Sequence, residues 1–164
     1  MSESEEGEDV LRLVMRRWAT GVALVAAAED NAFHGMTVNS FTALSLQPPL
    51  VLVALERGSR THDMVVRCQA YAVTILAEDQ EDLAERFAGQ RPEDRSRFEG
   101  LSVRTGPTGS PYLQDGIAYL DCRVLGVHPA GTHTVFMGEA VAAALLRAAR
   151  PLLYYNRGYR TLSE

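Results

Sequence analysis

Hydroxyls and an amide crowd one short stretch of this 164-residue chain. Thr37-Val38-Asn39-Ser40-Phe41-Thr42-Ala43-Leu44-Ser45 follows Gly35-Met36 and runs into Leu46-Gln47-Pro48-Pro49. Side-chain donors and acceptors at that density, beside backbone N–H groups, suit the edge of a heterocycle or a phosphate. The same composition also describes a Ser/Thr-rich turn that satisfies only itself, and spacing alone does not choose between the two. Further on, Arg57-Gly58-Ser59-Arg60-Thr61 places two guanidinium forks and two hydroxyls around a glycine at an expected helix start. Those are the parts of an anion cradle; the alternative is a capped helix with solvated arginines. The two segments flank the apolar run 50–55, so one strand would let both open onto the same groove.

Other chemistries find no support. The chain has no nucleophile elbow, no His-Glu-x-x-His and no Gly-x-x-x-x-Gly-Lys phosphate loop. His34 and His62 have no His or Cys nearby, and His128 and His133 lack a third ligand type, so no metal site is expected. Cys68 and Cys122 sit far apart among apolar neighbours and read as buried free thiols.

The elements that must position the two polar segments follow from periodicity. Val10, Leu11, Val14, Met15 and Trp18 recur at helical spacing, which predicts an amphipathic helix over residues 8–18. Residues 22–26 read as a buried strand. The polar turn Glu29-Asp30-Asn31 ends it and 33–37 returns, making a hairpin. Pro48-Pro49 breaks the chain before 50–55, expected as a central strand apolar on both faces. Residues 59–65 begin with capping side chains and suit a short helix. Residues 70–76 are β-rich, and 79–87 form an acidic helix with Leu83 and Phe87 on one face. A long polar excursion rich in Gly and Pro covers 91–112, with a short strand near 101–103. Strands resume at 117–127 and 133–145, the second Ala-rich enough to read as helix too, and Tyr154-Tyr155 and Tyr159 close the chain. Six or seven strands without regular intervening helices predict a mainly β fold with peripheral helices, a mostly antiparallel barrel.

Charge narrows the partners. Of 21 acidic residues, Glu3, Glu5, Glu6, Glu8 and Asp9 lie at the start, leaving 16 acidic against 16 basic in the rest. Residues 1–9 are therefore expected as an acidic flexible tail and 10–164 as a single domain. A nucleic-acid surface needs a basic excess on the folded body, which is missing. No apolar run reaches the ~18 residues of a membrane helix, and the acidic start is unlike a secretory signal, so a cytoplasmic protein is expected.

Taken in order, the pieces resemble the flavin reductase family, with its FMN-binding split β-barrel. The likeness rests on Gly35-Met36-Thr37-Val38-Asn39-Ser40-Phe41-Thr42, Leu44-Ser45, Pro48-Pro49-Leu50-Val51 and Ser59-Arg60-Thr61. It continues through Ala84-Glu85-Arg86-Phe87-Ala88-Gly89, Arg97-Phe98, Tyr119-Leu120-Asp121-Cys122 and Gly131-Thr132-His133-Thr134-Val135-Phe136-Met137-Gly138-Glu139. It ends in Pro151-Leu152-Leu153-Tyr154-Tyr155 with Gly158-Tyr159.

The resemblance implies a homodimer of six- to seven-stranded barrels, each with FMN or FAD in a groove near the subunit interface. It puts Thr37, Val38, Asn39 and Ser40 against the isoalloxazine and ribityl parts. Ala54, Arg57, Ser59, Arg60 and Thr61 would surround the ribityl phosphate, and Arg86 and Phe87 would lie near the phosphate or adenylate. His133 matches the family's Gly-Asp-His position, which meets the nicotinamide of NADH or NADPH. Thr132 replaces that Asp, so the anion that would orient the imidazole is missing there. The implied reaction is hydride transfer to flavin N5, with reduced flavin passing to a separate flavin-dependent monooxygenase. The competing readings are a split-barrel flavoprotein that is not a reductase (a tight FMN carrier or a pyridoxamine-phosphate-oxidase-like enzyme) and an interaction module without cofactor.

Overall fold

The computed structural model describes residues 3–89 and 96–163. Strand pairing starts where the sequence alternates small apolar residues with a polar turn. Strands β2 (Ala23–Glu29) and β3 (Ala32–Val38), which follow the short β1 (Thr20–Gly21), form the expected hairpin in register Ala23↔Val38 to Glu29↔Ala32. Asp30 and Asn31 turn it with φ of 49° and 65°. Left-handed φ at both centres matches the strands' twist, and Asp and Asn tolerate it.

Five more strands complete a seven-stranded antiparallel sheet: β4 (Phe41–Leu46), β5 (Pro49–Glu56), β6 (Ala70–Ile75), β9 (Ala118–Ala130) and β10 (His133–Leu145). Their order is β3-β2-β6-β9-β10-β5-β4. The two outermost strands, β3 and β4, are consecutive in the chain, with only Asn39 and Ser40 between them. A sheet whose edges are joined by two residues must curl until those edges approach, which makes a barrel with one open seam. Register shifts along β9–β10, at Met137/Gly138 and Ala140/Ala142, add the local coiling such closure needs.

Val25, Val53, Leu55, Val65, Tyr71, Val73, Cys122 and Phe136 fill the barrel, all fully buried. Val22, just before β2, and Leu24 and Ala26 on it point the other way into a second cluster with Leu76, Phe87, Phe98, Leu113 and Leu152. Helix α3 (Glu81–Phe87) and the small hairpin of β7 (Val103–Thr105) with β8 (Pro111–Leu113) cover that side. Helix α2 (Arg60–Cys68) packs across β2 and β3.

Several local expectations need correction. Residues 41–46 are an edge strand and not part of a polar turn, because Phe41 to Leu46 pair with Val53 to Pro49. Strand β5 is not central: it lies next to the β4 edge, and only Val51, Val53 and Leu55 are buried along it. The strand expected over 133–145 is, by contrast, borne out to its Ala-rich end, where Ala142 to Leu145 pair with Asp121 to Ala118. The short strand of the excursion lies at Val103–Thr105, later than 101–103, and residues 91–95 fall outside the described ones. Helix α1 spans Glu3–Met15, so it stops before Trp18 and earlier than the helix expected over 8–18.

Cys122 and Tyr71 face each other inside the barrel. Burial, with Asp121 second, pushes the Cys122 thiol up to about 12 from 9.0. Burial likewise raises the Tyr71 phenol. Between 9.0 and about 12 an unfolded Cys122 has lost its proton while the folded one keeps it. Stability is therefore fully present below that window and falls as pH rises through it. Urea midpoints measured across this window should fall more steeply for the wild type than for Cys122→Ala; parallel curves would contradict the assignment.

Candidate functional site

Strand β3 brings the two polar segments together. As an edge strand it has every second N–H and C=O turned away from β2. On one face, the His34 Nδ1 lies 2.9 Å from the Thr61 hydroxyl and the Met36 sulfur 3.7 Å from the Ser59 hydroxyl. On the other, Thr37 donates to the Ala84 carbonyl of α3 at 2.7 Å. The stretch 37–40 is thus held between the N-terminal turn of α2 and helix α3. At its end Ser40 donates to the Ala54 carbonyl at 2.6 Å, and the Ala54 N–H returns to the Ser40 carbonyl at 3.4 Å.

The start of α2 is built as the sequence implied. Gly58 takes φ +82°, a left-handed turn no side chain favours. Ser59 then caps the helix: its hydroxyl accepts the His62 N–H at 3.2 Å and donates to the Glu56 carbonyl at 2.9 Å. Arg60 is exposed at this turn, whose N–H groups and dipole favour an anion. Asp63, in the same turn, is drawn onto His62 Nδ1 at 2.8 Å.

A cleft of about 560 Å³ opens beside Thr37, Val38 and Asn39. Its far wall combines Glu81 and Glu85 of α3 with Tyr154, Arg157 and Tyr159. These last come from the closing hairpin of β11 (Leu153–Tyr155) and β12 (Gly158–Arg160), turned by Asn156 and Arg157 at φ of 50° and 62°. Tyr154 and Tyr159 meet edge to face at 5.5 Å. Burial, then Glu85, pushes the Tyr159 phenol up, which keeps it a neutral donor. A second cavity of about 600 Å³ lies past Arg60, between His34, Met64, Arg97 and Phe98.

The β9–β10 turn approaches the other end of the cradle. The Arg57 N–H donates to the Thr132 carbonyl at 3.0 Å and its guanidinium to the Gly131 carbonyl at 3.4 Å. His133 is exposed, registered opposite Glu56 on β5, and its Nδ1 lies 3.0 Å from the Thr132 hydroxyl. The hydroxyl thus orients the imidazole without the charge an Asp would bring.

Not every expected contact faces open space. Phe87 is 1 % exposed and packs edge-on to Phe98 at 4.9 Å, so its ring anchors α3 and touches no ligand. Arg86 donates to the Glu99 carbonyl at 2.8 Å and holds the 96–99 segment. Thr61 is buried with its hydroxyl on His34, and Ser40 keeps only acceptor capacity for a ligand. Gly35 serves packing: a Cβ there would meet Leu24 and the Phe98 ring at 3.1 Å. Thr37, Val38 and Asn39 line the first cleft and Arg60 the second. Sequence reasoning missed Tyr154, Arg157 and Tyr159 as site residues, although Asn156-Arg157-Gly158 between two tyrosines signals a tight hairpin.

Among the described residues no group of His, Cys, Asp and Glu could hold a metal ion, and no helix is long and apolar enough to cross a membrane. A family model described as a flavin reductase like domain matches residues 15–163. The NADH-dependent flavin reductase of a Rhodococcus species is 37% identical over 156 residues, covering 93% of this chain and 85% of that protein. The reductase component of the FADH(2)-dependent resorcinol hydroxylase of Rhizobium sp. (strain MTP-10005) is 36% identical over 151 residues, covering 90% and 83%. Among solved structures, the NADH:FAD oxidoreductase SgcE6 of Streptomyces globisporus C-1027, in complex with NAD and FAD fragments, superposes with a TM-score of 0.87. It is 30% identical, with 96% of this chain and 94% of that one covered.

Proposed function

The chain belongs to the flavin reductase-like family, and on that premise we propose that it oxidises NADH or NADPH and reduces FMN or FAD. One observation carries the reading: edge strand β3 leads into the polar stretch 37–40 and also holds the capped start of α2 through the His34–Thr61 bond, with one cleft beside residues 37–39 and another beside Arg60. A tricyclic ring with a phosphorylated tail needs those two features side by side, a hydrogen-bonding lip and an anion cradle.

When both nucleotides are bound, hydride passes from the nicotinamide to flavin N5, and the protein supplies orientation. Thr37, Val38, Asn39 and Ser40 hold the ring and ribityl chain. Arg60 and the N–H groups of the turn capped by Ser59 hold the phosphate. Ala54, Arg57 and Thr61 frame the cradle, and Arg86 and Phe87 fix α3 behind the stretch 37–40. His133, oriented by Thr132, meets the nicotinamide. The printed names of the Rhodococcus and Streptomyces relatives support NADH as donor.

The protein works as a homodimer in the cytoplasm. Support for a second copy comes from apolar side chains left uncovered: Val10, Leu11, Leu13 and Val14 on α1, and Leu44 and Leu46 on the β4 edge. Reduced flavin goes to a flavin-dependent monooxygenase, as the name of the Rhizobium relative suggests. Steady-state rates for FMN and FAD, each with NADH and NADPH, test this. Turnover should require both a flavin and a reduced nicotinamide; an equal rate without added flavin, from protein that carries none, would contradict it.

A further inference from the structure

Histidine in the first turn of a helix is usually solvated, yet His62 is only 8 % exposed. A buried imidazole needs partners for both ring nitrogens. It has them: Nδ1 lies 2.8 Å from the Asp63 carboxylate and Nε2 lies 2.9 Å from the Thr134 hydroxyl. A carboxylate only accepts, so Nδ1 carries a hydrogen, and Nε2 makes the second bond with the Thr134 hydroxyl. Phe136, fully buried, packs edge-on against the ring at 5.5 Å and fixes its plane. Thr134 is itself 4 % exposed, so water does not compete for this bond.

Its two ends give the bond its significance. His62 sits one residue after Thr61 in the cradle turn and donates its own N–H to the capping Ser59 hydroxyl. Thr134 directly follows His133 on β10. Beside it, the Arg57 N–H to Thr132 carbonyl bond at 3.0 Å is a second tie between the same segments. The side-chain bond therefore spans from the element that would hold the flavin phosphate to the strand that presents the nicotinamide contact.

We propose that His62 is a positioning residue for hydride transfer: with Thr134 it forms a strut that sets the distance between the α2 cradle and His133. The strut rests on the functional reading above and extends it, since ring stacking between two nucleotides depends on small displacements. It takes no proton from substrate and touches neither nucleotide.

The test uses His62→Asn, His62→Gln, Thr134→Val and the double variant His62→Asn/Thr134→Val. Asparagine reaches Asp63 as Nδ1 does but falls short of Thr134, whereas the glutamine amide reaches the Nε2 position. Breaking the strut should raise the KM for reduced nicotinamide about five- to ten-fold in His62→Asn and in Thr134→Val. The double variant should be no worse than the poorer single one, and His62→Gln should stay within about two-fold of wild type. A lower Tm with unchanged KM in both single variants, additive effects, or no rescue by glutamine would overturn the proposal. Wild-type protein in the same assay separates the two levels. Absent flavin-dependent turnover there would sink the functional reading, while normal turnover with insensitive variants sinks only the strut.

Discussion

Phe136→Ala should lose about 3–5 kcal/mol of folding stability, the range for truncating a fully buried aromatic ring. Phe136 is 0 % exposed and belongs to the barrel-filling cluster with Val53, Leu55 and Tyr71. It pairs with Val53 on β5 and Val127 on β9, so strands on both sides hold the backbone and limit collapse around the void. Next to it on β10, a Cβ at Gly138 would fall 2.9 Å from the Tyr71 ring, which shows how little slack the interior has. Urea unfolding should give a lower midpoint with an unchanged slope. A loss below about 1 kcal/mol would mean the site collapses freely and the barrel is not packed as described. The ring also supports His62, so activity should fall together with stability.

The second large effect is on ligand affinity. Arg60→Ala should weaken FMN and FAD binding by about 1.5–3 kcal/mol, roughly 10- to 150-fold, if the guanidinium makes a charge-assisted bond to the phosphate. Riboflavin, which lacks the phosphate, should bind both proteins alike. Arg60 is exposed, so the variant should unfold at the wild-type temperature. Ser40→Ala is a contrasting case. Its hydroxyl donates to the Ala54 carbonyl at 2.6 Å, and its loss should lower stability as well as affinity. Flavin fluorescence titrations of the two single variants and their combination separate these effects. Equal weakening of riboflavin and FMN in Arg60→Ala would place the phosphate elsewhere.

How much of this was legible in the sequence depends on the range of the interaction concerned. The β2–β3 hairpin was read correctly because Asp30-Asn31 and the flanking alternation are local signals. The start of α2 was legible for the same reason: Gly58-Ser59 announces a turn and a cap. Strand β4 was missed because Thr42, Ala43 and Ser45 look like a turn until one knows that β5 lies alongside them. Burial of Phe87 and Thr61 depends on Phe98 and His34, distant in sequence, and no local pattern reports that. The same holds for the Tyr154–Tyr159 wall, which reaches the 37–39 stretch only because β1 pairs with β11. In the sequence His62 stands only as a histidine with no His or Cys nearby, for a comparable reason. Its partner Thr134 lies 72 residues away.

The most direct measurement is anaerobic mixing of the purified protein with oxidised FMN or FAD and reduced nicotinamide, followed by the visible flavin band. Rapid bleaching that depends on the protein, and that slows in Arg60→Ala at sub-saturating flavin, is the expected result. A flavin band that the protein leaves unchanged with both NADH and NADPH, for FMN and FAD alike, would contradict hydride transfer at this site.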